Sequence, residues 1–141
     1  GIETHAVDDI HRWVWRKLAV NAAINPVTAL AGAPNRAIRE NADLQRACRL
    51  LASEAVAVAA ARGLALDEQQ LMDTINDVAE ATGDNRSSML VDLENGMRTE
   101  IDAINGAIVK EAQRRGIEVP ANQLVLSLIR ACEGQPRHRQ Q

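Results

Sequence analysis

The most informative stretch of this chain is Trp15-Arg-Lys-Leu-Ala-Val-Asn-Ala-Ala-Ile-Asn-Pro26. Alanine, leucine, valine and isoleucine fill most of it, which predicts a helix that is buried on most of its sides. Its polar residues Lys17, Asn21 and Asn25 recur at every fourth position, so they form one stripe about 80° wide along the helix. Buried polar groups are unfavourable unless a partner satisfies them, and a polar ligand is one such partner.

Length and composition are typical of a single globular domain. The chain has 141 residues, of which 46% are hydrophobic and 25% are charged, a balance that suits one hydrophobic core. Its formal net charge of −3 gives no electrostatic basis for binding nucleic acid. The apolar runs are too short to span a membrane, and the N-terminus lacks a signal-peptide pattern. We therefore expect a cytoplasmic protein with no nucleic-acid or membrane partner.

The cysteines and histidines form no catalytic or metal-binding pattern. Cys48 and Cys132 are far apart, as expected for two reduced core thiols in a cytosolic protein, and a disulfide between them is the less favoured alternative. His5, His11 and His138 lack metal-ligand spacing, so we expect no metal site. The chain also contains no G-x-G-x-x-G, P-loop, G-x-S-x-G or C-x-x-C motif.

The spacing of apolar residues predicts an all-α fold of six or seven helices without strands. The predicted helices cover residues 7–24 with a short continuation at 26–30, then 35–40, 42–62, 67–81, 85 or 87–94, 98 or 99–115 and 120–132. Because the residue before a proline disfavours the α region, we expect the first helix to end or kink at Asn25. Asn105-Gly106 falls inside the pattern of 99–115. A glycine inside a helix costs about 1 kcal/mol relative to alanine, which suggests a close approach of another backbone.

The polar residues of the first half each have a chemical interpretation and a structural alternative. Lys17 could protonate a carbonyl oxygen that becomes an alkoxide, but spacing alone favours a lysine that extends from the rim of a core helix into water. The amides of Asn21 and Asn25 suit hydroxyls or a carboxylate. Alternatively they satisfy neighbouring backbone, with Asn25 as a helix C-cap. Asn35 is better interpreted as an N-cap.

Two further candidates lie in the second half of the chain. In Arg86-Ser-Ser-Met-Leu-Val-Asp92, either serine could cap a helix, and a hydroxyl beside the first helix amides could equally bind an anion. Glu100 stands at the start of a predicted helix, where the helix dipole favours a carboxylate in any case. The residues alone therefore predict a helical domain whose polar stripe suits a small anionic carbonyl or hydroxy compound.

Four motifs, taken together, resemble the C-terminal domain of the ketopantoate reductase (2-dehydropantoate 2-reductase) family. They occur in the family's order over about residues 8–133 and read W-R-K-L-A-V-N-A-A-I-N-P-V-T-A-L (15–30), S-S-M-L-V-D (87–92), T-E-I-D-A-I-N-G (99–106) and G-I-E-V-P-A-N (116–122). The resemblance implies a compact all-α domain of the 6-phosphogluconate dehydrogenase C-terminal type, which follows a Rossmann domain in these enzymes.

The same resemblance implies reduction of 2-dehydropantoate to (R)-pantoate with NADPH, a step of pantothenate and coenzyme A biosynthesis. It assigns the general acid to Lys17, substrate contacts to Asn21, Asn25, Asn35 and Ser88, and a place near the cofactor to Glu100. Residues 1–141 then form a single substrate-binding and catalytic domain. Its partners are a small 2-oxo acid and an N-terminal Rossmann domain, which holds NADPH and is absent from this chain. The alternative is a non-catalytic helical interaction module that shares the fold and pairs with a second copy as a homodimer.

Overall fold

The structure, a computed structural model, describes residues 2–135, with side chains from residue 6 onward. These residues form seven α-helices, a 3₁₀ turn at Ile101–Ala103 and no strand, which confirms the predicted all-α fold. The helices are α1 (Ile2–Ala31), α2 (Ala37–Glu40), α3 (Ala42–Ala61), α4 (Glu68–Ala81), α5 (Ser88–Glu94), α6 (Asn105–Arg115) and α7 (Pro120–Cys132). No helix within this part of the chain is long and apolar enough to cross a membrane. His138 and the side chain of His5 lie outside the described residues.

Helix α1 lies at the centre of the domain. It contacts α2, α3, α4, α5 and α7. The prediction that its segment 15–26 is buried on most of its sides is confirmed, whereas most side chains of residues 6–14 are exposed. Many of its buried residues are alanines, among them Ala19, Ala22 and Ala23, and such small side chains let neighbouring helices approach closely. The indole nitrogen of Trp15 donates to the Ala55 carbonyl at 3.0 Å. That bond ties the start of the buried segment to α3.

Of the two alternatives expected at Asn25, an end of the first helix is wrong, because α1 continues through Pro26 to Ala31, and the helical continuation expected at 26–30 is confirmed. A proline inside a helix removes one backbone hydrogen bond and costs about 3 kcal/mol. Pro26 itself is buried, as are Ile24 and Val27 on either side of it. Most helical stability in proteins comes from tertiary packing, and here the packing around α1 outweighs the local preference of the sequence.

Three helix ends follow the local chemistry of the sequence. Asp67 caps α4 by accepting a hydrogen bond from the backbone N–H of Gln70 at 2.8 Å. Ser87 caps α5 by accepting one from the N–H of Leu90 at 3.2 Å. Helix α6 ends at Gly116, whose φ of +67° lies in the left-handed region that glycine adopts without strain.

The continuous helix predicted for 99–115 is wrong. The chain forms the 3₁₀ turn Ile101–Ala103, leaves helical geometry at Ile104 (φ −104°, ψ −91°) and restarts as α6 at Asn105. Asn105-Gly106 therefore begins a helix instead of lying inside one. A Cβ added at Gly106 would lie 3.4 Å from the nearest atom, the Ile101 carbonyl oxygen, so no close backbone approach requires glycine at this position.

Both cysteines are thiols in the structure, as predicted. Cys48 is fully buried in α3 and Cys132 is half-buried at the end of α7. Burial raises the pKa of the Cys48 thiol to about 12, because an apolar environment disfavours the charged thiolate.

We expect Cys48 to resist alkylation in the folded chain. The thiolate is the reactive form, and with this pKa about one thiol in ten thousand is ionised at pH 8. Mass spectrometry after treatment with iodoacetamide should find modified Cys48 only when denaturant is present. Equal modification of Cys48 in the native and denatured chain would contradict this expectation.

Candidate functional site

The predicted stripe lies along the side of α1 that the other helices leave open. Lys17 is exposed, as the interpretation favoured by spacing predicts for a lysine at the rim of a core helix, whereas Asn21 and Asn25 are half-buried. Successive members are about 6 Å apart along the helix axis, at 1.5 Å per residue. The amine of Lys17 lies 5.3 Å from the centre of the Trp13 ring, a distance at which the ring attracts a cation. The stripe therefore presents one cationic group and two amides to solvent.

The side chains of this stripe are not used by the fold. Within the described residues, no side-chain hydrogen bond or ion pair engages Lys17, Asn21 or Asn25. Asn25 is not a C-cap either, because α1 continues for six residues beyond it to Ala31. The alternative that these amides satisfy neighbouring backbone is thus wrong. Their donors and acceptors are free to bind a ligand.

The two serines before α5 have different environments. Ser87 is buried and caps α5, and its hydroxyl shares a 2.9 Å hydrogen bond with the hydroxyl of Thr28 on α1. Ser88 is exposed at the first residue of α5. Thr28 also lies 3.2 Å from the carbonyl oxygen of Asn25. The Thr28–Ser87 bond therefore joins the start of α5 to the part of α1 that carries Asn25.

Sequence reasoning did not single out Thr28. It falls in the apolar helix pattern, and its role depends on Ser87, which is 59 residues later in the chain. A threonine in a buried segment was nevertheless a usable signal, because a buried hydroxyl needs a hydrogen-bond partner. Thr28 donates to the Ile24 carbonyl at 2.9 Å and reaches Ser87 from the same position.

Asn35 does not cap α2, so that interpretation is wrong. Arg36 occupies the N-cap position and makes no side-chain cap bond. The Asn35 side chain is buried and its amide nitrogen donates to the hydroxyl of Thr82 at 2.9 Å. Its backbone N–H donates to the Asn85 carbonyl at 3.0 Å. These bonds place Asn35 beside the loop that leads into α5, and its side-chain oxygen is buried without a partner among the described residues.

The structure places Glu100 in a separate segment. It is exposed and precedes the 3₁₀ turn, where its carbonyl accepts hydrogen bonds from the N–H groups of Ala103 and Ile104. Its side chain makes no cap bond to that turn, and within residues 6–135 no hydrogen bond or ion pair joins it to α1. The structure thus joins the segment of Ser88 to α1 through Ser87 and Thr28, and within the described residues no such bond joins Glu100 to α1.

A cavity of about 620 Å³ lies elsewhere, between α2 and the end of α4. None of the candidate residues lines it. Its charged groups are compensated within the chain, since Arg36 pairs with Asp84 at 2.7 Å and Arg39 pairs with Glu80. The stripe instead lies on an open surface, so a ligand there becomes enclosed only if a second surface covers it.

Comparison with known protein families identifies the domain. The family described as "Ketopantoate reductase PanE/ApbA C terminal" matches residues 9–133. The chain belongs to this family.

The relatives of this ketopantoate reductase domain are longer proteins. A 2-dehydropantoate 2-reductase from Archaeoglobus fulgidus is 43% identical over 133 residues, which are 94% of this chain and 44% of the relative. One from Escherichia coli O157:H7 is 36% identical over 129 residues, which are 91% of this chain and 41% of the relative. The chain thus spans less than half the length of these relatives.

Solved structures share the fold. The ketopantoate reductase of Ralstonia eutropha JMP134 has 34% identity and a TM-score of 0.78 over 88% of this chain and 41% of that protein. A dimeric ketopantoate reductase from Staphylococcus aureus has 31% identity and a TM-score of 0.78, covering 88% of this chain and 43% of that protein. D-mandelate dehydrogenase, solved with NADH and anilino(oxo)acetate, has 26% identity and a TM-score of 0.84, covering 89% of this chain and 53% of that protein.

An unfolding experiment should distinguish the roles of Ser87 and Ser88 in this ketopantoate reductase domain. We expect Ser87→Ala to lower the free energy of unfolding by about 1 kcal/mol or more, because it removes a helix cap and the partner of buried Thr28. Ser88→Ala, the matched control at an exposed position, should change it by less than about 0.5 kcal/mol. Urea unfolding followed by circular dichroism measures both, and equal losses would contradict the assignment of Ser87 to the fold.

Proposed function

We propose that this chain is the substrate-binding and catalytic C-terminal part of an NADPH-dependent reductase that converts 2-dehydropantoate to (R)-pantoate, a step of pantothenate and coenzyme A biosynthesis. The observation that carries this proposal is the unpaired polar stripe on α1, which the fold itself does not use. Membership of the ketopantoate reductase family supports the choice of reaction. The D-mandelate dehydrogenase structure supports the class of chemistry, because that related protein was solved with NADH and a 2-oxo carboxylate.

Lys17 is the proton donor in this proposal. Reduction of a ketone adds a hydride to the carbonyl carbon, and the oxygen takes a proton as it becomes a hydroxyl. The ammonium group of Lys17 has three donors and no acceptor, so it stabilises the developing negative charge and supplies that proton. Its exposed position on α1 leaves the amine accessible to a substrate that lies against the stripe.

The neighbouring groups hold the rest of the substrate. Asn21 and Asn25 stand about one and two helical turns beyond Lys17, and their amides offer both donors and acceptors. Ser88 directly follows Ser87, whose hydroxyl bonds to Thr28 on α1, and this link supports a place for the Ser88 hydroxyl in the same site. Asn35 is the further substrate contact that we propose, and its side-chain oxygen, which is buried in the chain, has no partner among the described residues. Together these groups suit the hydroxyl and carboxylate of a small hydroxy-oxo acid.

The hydride comes from NADPH, which we propose is held mainly by an N-terminal Rossmann domain. The open surface over the stripe fits this arrangement, because a second domain there would enclose the substrate and exclude water. Glu100 is the residue of this chain that we propose contacts the cofactor. Its exposed carboxylate accepts hydrogen bonds from amide or hydroxyl groups.

Replacement of Lys17 tests the catalytic assignment. In the full-length protein that carries this domain, Lys17→Ala should lower kcat by about 10²–10⁴-fold, the usual contribution of general acid catalysis. Steady-state oxidation of NADPH by 2-dehydropantoate measures the effect. The matched control is Lys110→Ala, at an exposed position of α6, which should leave kcat within about twofold. Near-normal turnover of the Lys17→Ala enzyme would overturn the proposed mechanism.

Replacement of the amide and hydroxyl groups tests substrate binding. We expect Asn21→Ala and Ser88→Ala to raise KM for 2-dehydropantoate about tenfold each, since each removes a hydrogen bond to a charged or polar ligand. The control is Asn95→Ala, at an exposed position after α5, which should leave KM unchanged. An unchanged KM and kcat in both test variants would exclude the stripe and Ser88 as the substrate site.

A further inference from the structure

Pro26 leaves one carbonyl of α1 without its usual donor. In an α-helix the N–H of each residue donates to the carbonyl four residues earlier, and proline has no N–H. The carbonyl of Ala22 therefore receives no bond from residue 26. Ala22 is fully buried, and a buried carbonyl without a partner costs about as much free energy as a lost hydrogen bond. A hydrogen-bond donor from another part of the chain is therefore needed to satisfy the Ala22 carbonyl while α1 remains continuous.

Asn105, the first residue of α6, provides that donor. Its amide nitrogen lies 2.9 Å from the Ala22 carbonyl oxygen and 3.0 Å from the side-chain oxygen of Asn122 on α7. Asn105 and Asn122 are both fully buried. Because both partners are acceptors, the nitrogen and not the oxygen of the Asn105 amide faces them.

The orientation of Asn105 is fixed in turn by α3 and α7. The carboxylate of Glu54 accepts hydrogen bonds from the backbone N–H groups of Ala121 at 2.9 Å and Asn122 at 2.8 Å. The side-chain nitrogen of Asn122 donates to Glu54 at 2.9 Å and to the Leu51 carbonyl at 3.3 Å. A carboxylate without a proton only accepts, so Asn122 turns its oxygen towards Asn105. Residues of α3, α6 and α7 thus orient the amide N–H of Asn105 towards the Ala22 carbonyl of α1.

We propose that Asn105 is a positioning residue for the stripe on α1. It replaces the backbone donor that is missing at Pro26, between the two halves of the candidate site. Ala22 directly follows Asn21, and Pro26 directly follows Asn25. If the helix unwound at the Ala22 carbonyl, a shift of one residue would rotate the Asn25 side chain by about 100° about the helix axis relative to Lys17. The side chains of the stripe would then no longer lie on one side of the helix. The catalytic part of this inference rests on the function proposed above.

A double-mutant cycle in the 141-residue chain tests the bond itself. In the Pro26 background, Asn105→Ala should raise the equilibrium constant for unfolding by a factor about ten times larger than in a Pro26→Ala background. The reason is that Pro26→Ala restores a backbone N–H, which then donates to the Ala22 carbonyl. The loss of the Asn122 contact is the same in both backgrounds and cancels. Urea unfolding measures the constants. Equal losses in the two backgrounds would overturn the proposal.

Cys48→Ala is the matched control for this cycle. The Cys48 thiol lies 3.6 Å from the Ala23 carbonyl, a neighbouring carbonyl of α1 whose usual donor, the N–H of Val27, is present. Its effect should therefore be equal with and without Pro26→Ala. If Asn105→Ala does not fold, Asn105→Ser is compared in the same two backgrounds with the same criterion.

A kinetic cycle in the full-length protein tests the positioning role. Asn105→Ala should lower kcat/KM for 2-dehydropantoate at least tenfold, and the addition of Pro26→Ala should recover most of that loss. All four proteins are assayed at a temperature at which circular dichroism shows them fully folded, so that a loss of stability alone leaves kcat/KM unchanged. Equal kinetic losses in both backgrounds would overturn the positioning role. If the protein reduces no 2-oxo acid, the proposed function fails, and the unfolding cycle alone decides whether Asn105 replaces the missing donor.

Discussion

Helix α1 has to remain helical through Pro26, although proline removes a hydrogen bond in its most buried segment. The local penalty is about 3 kcal/mol. It is tolerated because α1 is enclosed by five other helices, so that breaking it would disturb the packing of the whole domain. The alanines of α1 strengthen this dependence, since closely packed helices leave little room for a displaced turn. The rest of the fold is arranged around this one helix.

This arrangement lets one helix serve as both core and candidate site. The buried sides of α1 fix its rotation and its position along the axis, because any change would expose apolar side chains. The open side then carries Lys17, Asn21 and Asn25 in a fixed relation without any hydrogen bond among them. A site on a rigid helix holds its groups more precisely than a site on loops. The polar groups can therefore stay unpaired and accessible without being disordered.

Features that depend on residues close together in the chain could be predicted from the sequence, whereas features that depend on contacts between distant residues could not. The caps at Asp67 and Ser87 were predictable, because a cap involves residues three apart. The end of the first helix at Asn25 was wrongly predicted because the packing that holds α1 together comes from the whole chain. Asn35 was misread for the same reason, since its partner Thr82 is 47 residues away. The stripe itself was predictable from periodicity, and so was a Lys17 that extends into water. The side of the mostly apolar helix that lacks a neighbour was not predictable, since periodicity does not show it.

The same structure explains why the stripe needs a second surface for the proposed chemistry. Proton transfer and charge stabilisation by Lys17 are weak in bulk water, because water screens the amine and competes for the ketone oxygen. The cavity near α2 does not include the stripe and has its charges paired within the chain. In the function that we propose, a second domain that covers α1 provides the enclosure. The Thr28–Ser87 bond fixes the start of α5 against α1, so the relation of these two helices does not depend on such a surface.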